Sequence, residues 1–175
     1  METFYKNPTP NSYWVIPDHL LAGEHPGIKA QKARETVQQL LAARVTVFID
    51  LTRPGEAYDY ENLLGQEAAK LRYLVAYYQM PIKDEGIPKP QEMVEILNMI
   101  DTAVSVGRKV YLHSLQGRGR AGTVIGCYLV RHGMSGQAAL QEITRLRRSL
   151  GVGSPESSPH TVPQQQLVLG WREGR

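Results

Sequence analysis

Two arginines set among three glycines give the first chemical lead in this chain. Between Val110 and Val130 the sequence runs VYLHSLQGRGRAGTVIGCYLV, with glycines at 117, 119 and 122 and arginines at 118 and 120. The stretch opens on an apolar run, Val110 to Leu112, that reads as a buried strand. It closes on Thr123 to Val130, apolar nearly all round, as a helix inside a core is. A strand that turns sharply into a helix leaves unpaired N–H groups at the turn, and the helix dipole adds partial positive charge there. Glycine lets the main chain approach a ligand closely, and two guanidinium groups add full charges. The expected chemistry is an anion cradle for phosphate or sulfate.

Two other readings of the loop are weaker. A plain packing turn would not carry two arginines, because burying them without a ligand is costly. Gly117-Arg-Gly119-Arg-Ala-Gly122 also satisfies the dinucleotide pattern G-x-G-x-x-G. That motif needs a second parallel strand ending in an acidic residue, and the corresponding region, Gln141-Glu142-Ile143, lies in a helix-period pattern.

His113-Ser114-x-x-Gly117-x-x-Arg120 resembles the H-C-x-x-G-x-x-R signature of the cysteine-dependent tyrosine and dual-specificity phosphatases. The small, atypical dual-specificity type is the nearer match, and serine stands where that family has its nucleophilic cysteine. The resemblance runs from about Tyr13 to Trp171. It implies that Ser114 occupies the nucleophile position at the bottom of the cradle. N–H groups from Leu115, Gln116, Gly117, Arg118, Gly119 and Arg120 would converge on the phosphoryl oxygens. Arg120 would close the ring as a planar, two-pronged donor. A cysteine at 114 would have its pKa lowered from about 8.5 to roughly 3.5–7.5 and attack phosphorus as a thiolate. A serine hydroxyl gains no such ionisation, so the chain is expected to bind phosphate and turn it over very poorly. His113 and Ala121 flank the nucleophile position. Ala121 stands where the family usually has a hydroxyl that helps the thiolate leave.

Further roles come from loops beyond strand ends. Pro81-Ile-Lys-Asp84-Glu-Gly-Ile-Pro88 is a proline-bounded loop, and Asp84 precedes Ser114 by 30 residues, comparable to the family's general acid. A carboxyl there would protonate the leaving oxygen, with Glu85 as its understudy. Asp50 to Gly55 lies past the strand Val45–Ile49, where ligands of open α/β sheets sit, and makes Arg53 a possible substrate contact. Ser158 to Val168 resembles the family segment that brings a water-positioning glutamine to the phosphate, here Gln164.

The elements needed to hold these residues are legible as an alternation. Tyr13–Ile16, Leu20–Ala22, Val45–Ile49, Tyr73–Met80 and Val110–Leu112 read as strands. Helices are expected with buried faces at Ala33, Val37, Leu40 and Leu41, over 62–71, at Met93, Ile96, Leu97, Ile100 and Val104, and at Ala139, Ile143, Leu146 and Leu150. Gly107 and Gly133 read as helix terminators and Ser135 as a cap. Arg145, Arg147 and Arg148 read as a solvated basic end. The expected fold class is α/β: a single domain over 13–175 with a central, mostly parallel sheet of four to five strands flanked by helices, preceded by a loosely held arm over 1–12.

Composition narrows the function. A length of 175 residues, 42% of them hydrophobic, suits one domain with a proper core. A net charge of +3 and a pI near 9.0 suit an anionic substrate, but no Lys/Arg stripe points to nucleic acid. With Cys127 as the one cysteine there is no disulfide framework, and a reducing cytoplasm is the expected setting. No apolar run is long enough to span a membrane, and no signal-peptide core precedes Tyr13. The histidines at 19, 25, 113, 132 and 160 show no paired ligand spacing, so neither metal nor cofactor is expected.

The function so implied is hydrolysis of phosphotyrosine monoesters through a cysteinyl-phosphate, extending to phosphoserine and phosphothreonine where the cleft is shallow, in a form inactivated at 114. Its partner would be a phosphorylated protein or peptide. Retention of Arg120 and Asp84 favours an enzyme with an exchanged nucleophile over a natural pseudophosphatase that only binds. The extra charge of Arg118 keeps phosphoinositides and inositol phosphates open as substrates.

Overall fold

Five short strands, three of them carrying β-branched residues, build the sheet that carries the site. A computed structural model describes residues 5–151 and 156–174. Its strands are β1 (Ser12–Ile16), β2 (Leu20–Glu24), β3 (Val45–Asp50), β4 (Ala76–Gln79) and β5 (Lys109–Ser114), in the order β1-β2-β5-β3-β4. Only β1 runs antiparallel, hairpinned onto β2 through a turn in which Asp18 adopts φ 63°. The central β5 pairs in parallel with β2 and β3, so that Ser114 lies beside Glu24 and His113 beside Asp50. The glycine-rich loop therefore leaves the sheet between two other strand ends.

Side chains alternate across the sheet as the pleat requires. Val110 and Leu112 face one layer, made by α3 (Pro90–Ser105), α4 (Arg120–Arg131), α5 (Gly136–Arg147) and α6 (Val162–Gly170). Tyr111 and Phe48 face the other, made by α1 (Ala33–Ala42) and α2 (Glu61–Lys70). Each fully buried Leu, Ile or Phe on these faces contributes about 1.5–3 kcal/mol. From Arg120 to Leu129 every residue of α4 is buried, because α4 lies between β5 on one side and α5 and α6 on the other. Ser135 caps α5, its hydroxyl oxygen accepting from the Ala138 N–H at 3.1 Å.

The structure corrects several expectations. The strand expected over Tyr73–Met80 is confined to Ala76–Gln79. Val104, Leu146 and Leu150 are half-buried rather than core. The N-terminal arm is better anchored than its prolines suggest: Ser12 belongs to β1, Thr9 is buried, and the Trp14 indole donates to the Lys6 carbonyl at 3.3 Å. Residues 1–4 of that arm and residue 175 lie outside the described residues. Arg147 is not solvated. It is buried on the same face as Ala139 and Ile143, two turns and one turn behind it, and its Nη1 donates to the Gly117 carbonyl at 3.1 Å. No helix among the described residues is long and apolar enough to cross a membrane.

Candidate active site

The loop after β5 takes its shape from close backbone contacts. Gly117 sits at φ 68°, and a Cβ there would fall 2.3 Å from the Gly23 carbonyl carbon, so the loop lies against the end of β2 as only glycine can. The His25 N–H donates to the Leu115 carbonyl at 3.1 Å, which stitches the same two segments together. From beneath, Arg147 holds Gly117 in place. With α4 starting at Arg120, its first-turn N–H groups open towards Ser114, and the Ala121 N–H already reaches Ser114 Oγ at 3.3 Å. An amide turn of this kind, at the N-terminus of a buried helix, suits an anion.

Most of the residues singled out in the sequence meet in one hollow. Ser114, Leu115, Gln116, Arg118, Gly119 and Arg120 form its floor and one wall, and Asp84 and Gln164 come from two distant segments. Glu85 and His160 complete the rim. Gly122 makes room for the C-terminal segment: a Cβ there would meet Ser158 Oγ at 2.1 Å, and that hydroxyl donates to the Arg118 carbonyl at 2.6 Å. Thr161 and Gln164 then form a reciprocal cap on α6. Gln164, wholly buried, donates from Nε2 to the Gly86 carbonyl at 3.1 Å and so ties α6 to the loop carrying Asp84.

Arg120 is the hub. Its guanidinium is 2% exposed. It donates from Nη1 to the Ile82 carbonyl and to Glu56 Oε1, each at 3.0 Å, and from Nη2 to Glu56 Oε2 at 2.8 Å. Asp84 Oδ1 lies 3.3 Å from the same Nη2. Burial pushes the Glu56 carboxyl up, but the bonds from Arg120 and from the Arg53 N–H outweigh it and leave its pKa lowered. Glu56 was missed by sequence reasoning; the only signal was its place in the loop after β3. That loop was expected to offer Arg53, whose side chain is exposed and absent from the lining, while its N–H donates to Glu56 Oε1 at 2.9 Å. Arg118 also departs from expectation. Its Nε donates to the Ser157 carbonyl at 2.7 Å and its Nη1 pairs with Glu156 at 2.9 Å.

Behind Ser114 lies a buried polar cluster that the sequence did not announce. Asp50 Oδ1 accepts from the Thr52 N–H at 2.8 Å and the Thr52 hydroxyl at 2.6 Å. Its Oδ2 accepts from the Tyr77 hydroxyl at 2.8 Å and faces His25 Nε2 at 3.3 Å. His113 Nδ1 is 3.7 Å from Asp50, and its Nε2 meets the Tyr60 hydroxyl at 2.6 Å. Burial alone would raise the Asp50 carboxyl, yet the bond from His25, the field of His113 and the two Thr52 bonds hold it well below the usual range. Burial pushes His113 down to about 3, against the pull of Asp50.

His25, Asp50 and His113 bring ligand-type atoms within 4.8 Å of one another, which the spacing of histidines along the chain did not foretell. The hydrogen bonds do not suit a metal. His25 Nδ1 accepts from the Gly27 N–H at 2.8 Å, so its Nε2 carries the ring proton towards Asp50. Nε2 of His113 is itself engaged by the Tyr60 hydroxyl at 2.6 Å. A ligating nitrogen must be free of its proton.

The comparisons with known proteins agree with this geometry. Over 127 residues, the chain is 30% identical to protein tyrosine phosphatase domain-containing protein 1 of Mus musculus, covering 68% of this chain and 17% of that protein. Over 113 residues it is 29% identical to the phosphatidylglycerophosphate phosphatase PTPMT1 of Arabidopsis thaliana, covering 63% and 32% respectively. The chain thus spans well under half of either relative. The crystal structure of Tk-PTP in its active form superposes with a TM-score of 0.68 at 21% identity, covering 91% of this chain and 94% of that one, a likeness of fold. Residues 9–164 match the family described as the Swiss Army Knife protein, DSP-PTPase phosphatase domain. The five-stranded, mostly parallel sheet, the glycine-rich loop and this match lead to one conclusion: the chain belongs to the PTP-SAK family of dual-specificity-type phosphatase domains.

Proposed function

We propose that this domain captures a phosphomonoester dianion in the loop 115–120 and that Ser114 separates capture from turnover. The observation that carries the reading is Arg120, a buried guanidinium at the first turn of α4, beside Ser114 and an aspartate from a distant loop. In this reading the main-chain N–H groups and Arg120 hold the non-bridging oxygens. With cysteine at 114, the thiolate would attack phosphorus, forming an S–P bond as the ester O–P bond breaks. Asp84 would give its proton to the leaving oxygen. Water held by Gln164 would then attack phosphorus, return a proton to Asp84 and release inorganic phosphate and thiolate. Serine, lacking a neighbouring base, does not enter this sequence.

Phosphotyrosine is the proposed first substrate, with the lipid phosphate suggested by the name of the Arabidopsis relative as the second reading. The test is a pair of proteins. The chain with Ser114 should bind tungstate or phosphate without hydrolysing an aryl phosphate, and Ser114→Cys should hydrolyse it. Absence of oxyanion binding in both proteins would refute the reading. Binding by both without turnover by Ser114→Cys would favour a domain that only binds.

A further inference from the structure

Both arginines of the cradle are engaged by carboxylates before any ligand arrives. Arg120 is gripped by both oxygens of Glu56 and approached by Asp84; Arg118 is taken by Glu156 and the Ser157 carbonyl. Of these acids, Asp84 and Glu156 leave 70% and 62% of their side chains exposed, and Glu85 leaves 67%. Glu85 stands 3.5 Å from His160 across the opening. Around the hollow, four carboxylates thus oppose two guanidinium groups and one imidazole. The pull on a single dianion comes mainly from the floor, through the first-turn amides and dipole of α4. The rim is acidic, and no lysine lines it among the described residues.

This arrangement suits a carrier whose charge is opposite to its phosphate. Resting on the reading that the hollow takes a phosphomonoester, we propose that it selects a single phosphorylated residue flanked by lysine or arginine in a peptide. Asp84, Glu85 and Glu156 are the residues that set this preference. A second phosphate, or acidic neighbours, would meet carboxylates at the rim instead of free cations. Arg118, which in the sequence suggested a polyphosphate ligand, is already neutralised by Glu156. A unit charge about 6 Å from another in water changes affinity about threefold, so two flanking lysines should outbind two flanking aspartates by at least about tenfold at low salt.

The experiment uses the chain with Ser114, which binds without turnover, and three phosphotyrosine peptides differing only in lysine, alanine or aspartate flanks. Affinity should fall in that order and the spread should collapse at about 0.5 M salt, where screening shortens to a few ångströms. The double change Glu85→Gln and Glu156→Gln should narrow the spread at low salt. Equal affinities, a reversed order, or tighter binding of inositol trisphosphate than of the lysine-flanked peptide would overturn the proposal while leaving phosphate capture intact. Should the double variant misfold, the peptide series on the unaltered chain still decides. Failure to bind any peptide, or tungstate, would overturn the capture reading and this preference with it.

Discussion

Acid should loosen this fold well before most of its carboxylates titrate, and His113 is the reason. Its ring is wholly buried between Asp50, His25 and Tyr60, and burial outweighs the attraction of Asp50, setting its pKa at about 3. In the unfolded chain the same ring titrates near about 6.5. Between the two values the unfolded chain binds a proton that the folded chain refuses. Stability therefore falls as pH falls, by about 1.4 kcal/mol per pH unit. The contribution is complete above about pH 6.5, and about 2 kcal/mol is gone by about pH 5. Asp50, whose pKa is lowered, acts in the same direction only below about pH 4, so the windows separate. Urea unfolding followed by the fluorescence of the buried Trp14 and Trp171 reads the effect. With a slope near about 2 kcal/mol per molar urea, the midpoint should drop by about 1 M between about pH 7.5 and about pH 5. His113→Gln cannot take up a proton and should flatten that dependence, whatever it costs at neutral pH. A midpoint constant over this range, or an equal slope in His113→Gln, would show that the buried ring is not what couples the fold to acid.

Other outcomes rest on single contacts. Arg147→Met removes the donor that holds the Gly117 carbonyl, and should cost about 1–3 kcal/mol in urea unfolding and weaken phosphate binding in isothermal titration. Gly122→Ala drives a methyl group into Ser158 Oγ; amide exchange across Thr161–Gln165 should accelerate, with about 1–3 kcal/mol lost from overpacking. In the Ser114→Cys background, adding Ala121→Ser supplies a donor at the leaving sulfur. It should raise the steady-state rate by about tenfold or more while leaving the initial burst unchanged.

The legible parts of this molecule are those whose physics is local. The period of Ala33, Val37, Leu40 and Leu41 needs no partner to announce a helix, and the glycines at 117 and 119 free the main chain to turn tightly. Ser114, Arg120, Asp84 and Gln164 can be singled out because each sits in a motif or loop with its own punctuation, and the fold brings all four to one hollow. What escaped depends on meetings between distant strand ends. Glu56 looks like any surface acid until the loop after β3 folds back onto Arg120. Asp50, His25 and His113 lie at the ends of three strands and become a cluster only once β2 and β3 pair with β5. Arg147 was misread by its chemistry and not by its position: it falls four residues after Ile143 and eight after Ala139, on the stripe that faces inward.

Binding and chemistry are separable here because they draw on different atoms. In the proposed reading a dianion is held by main-chain amides, the start of α4 and Arg120, groups other than the side chain of residue 114, although the Ala121 N–H also reaches its Oγ. Exchange of sulfur for oxygen at that position leaves Gly117 against β2 and Arg147 beneath the loop, since both contacts are made elsewhere. An exchanged nucleophile and a binding-only domain therefore predict the same affinity for phosphate, and they part only in turnover once cysteine stands at 114. The loop carrying Asp84 bears on that difference: Arg120 donates to the Ile82 carbonyl and faces Asp84, so the guanidinium that would grip phosphate also holds the carboxyl proposed as proton donor at the opening. A carboxylate held against the buried guanidinium competes with the incoming dianion, whatever it contributes to the choice of flanking residues. A site used for ester cleavage requires a proton there.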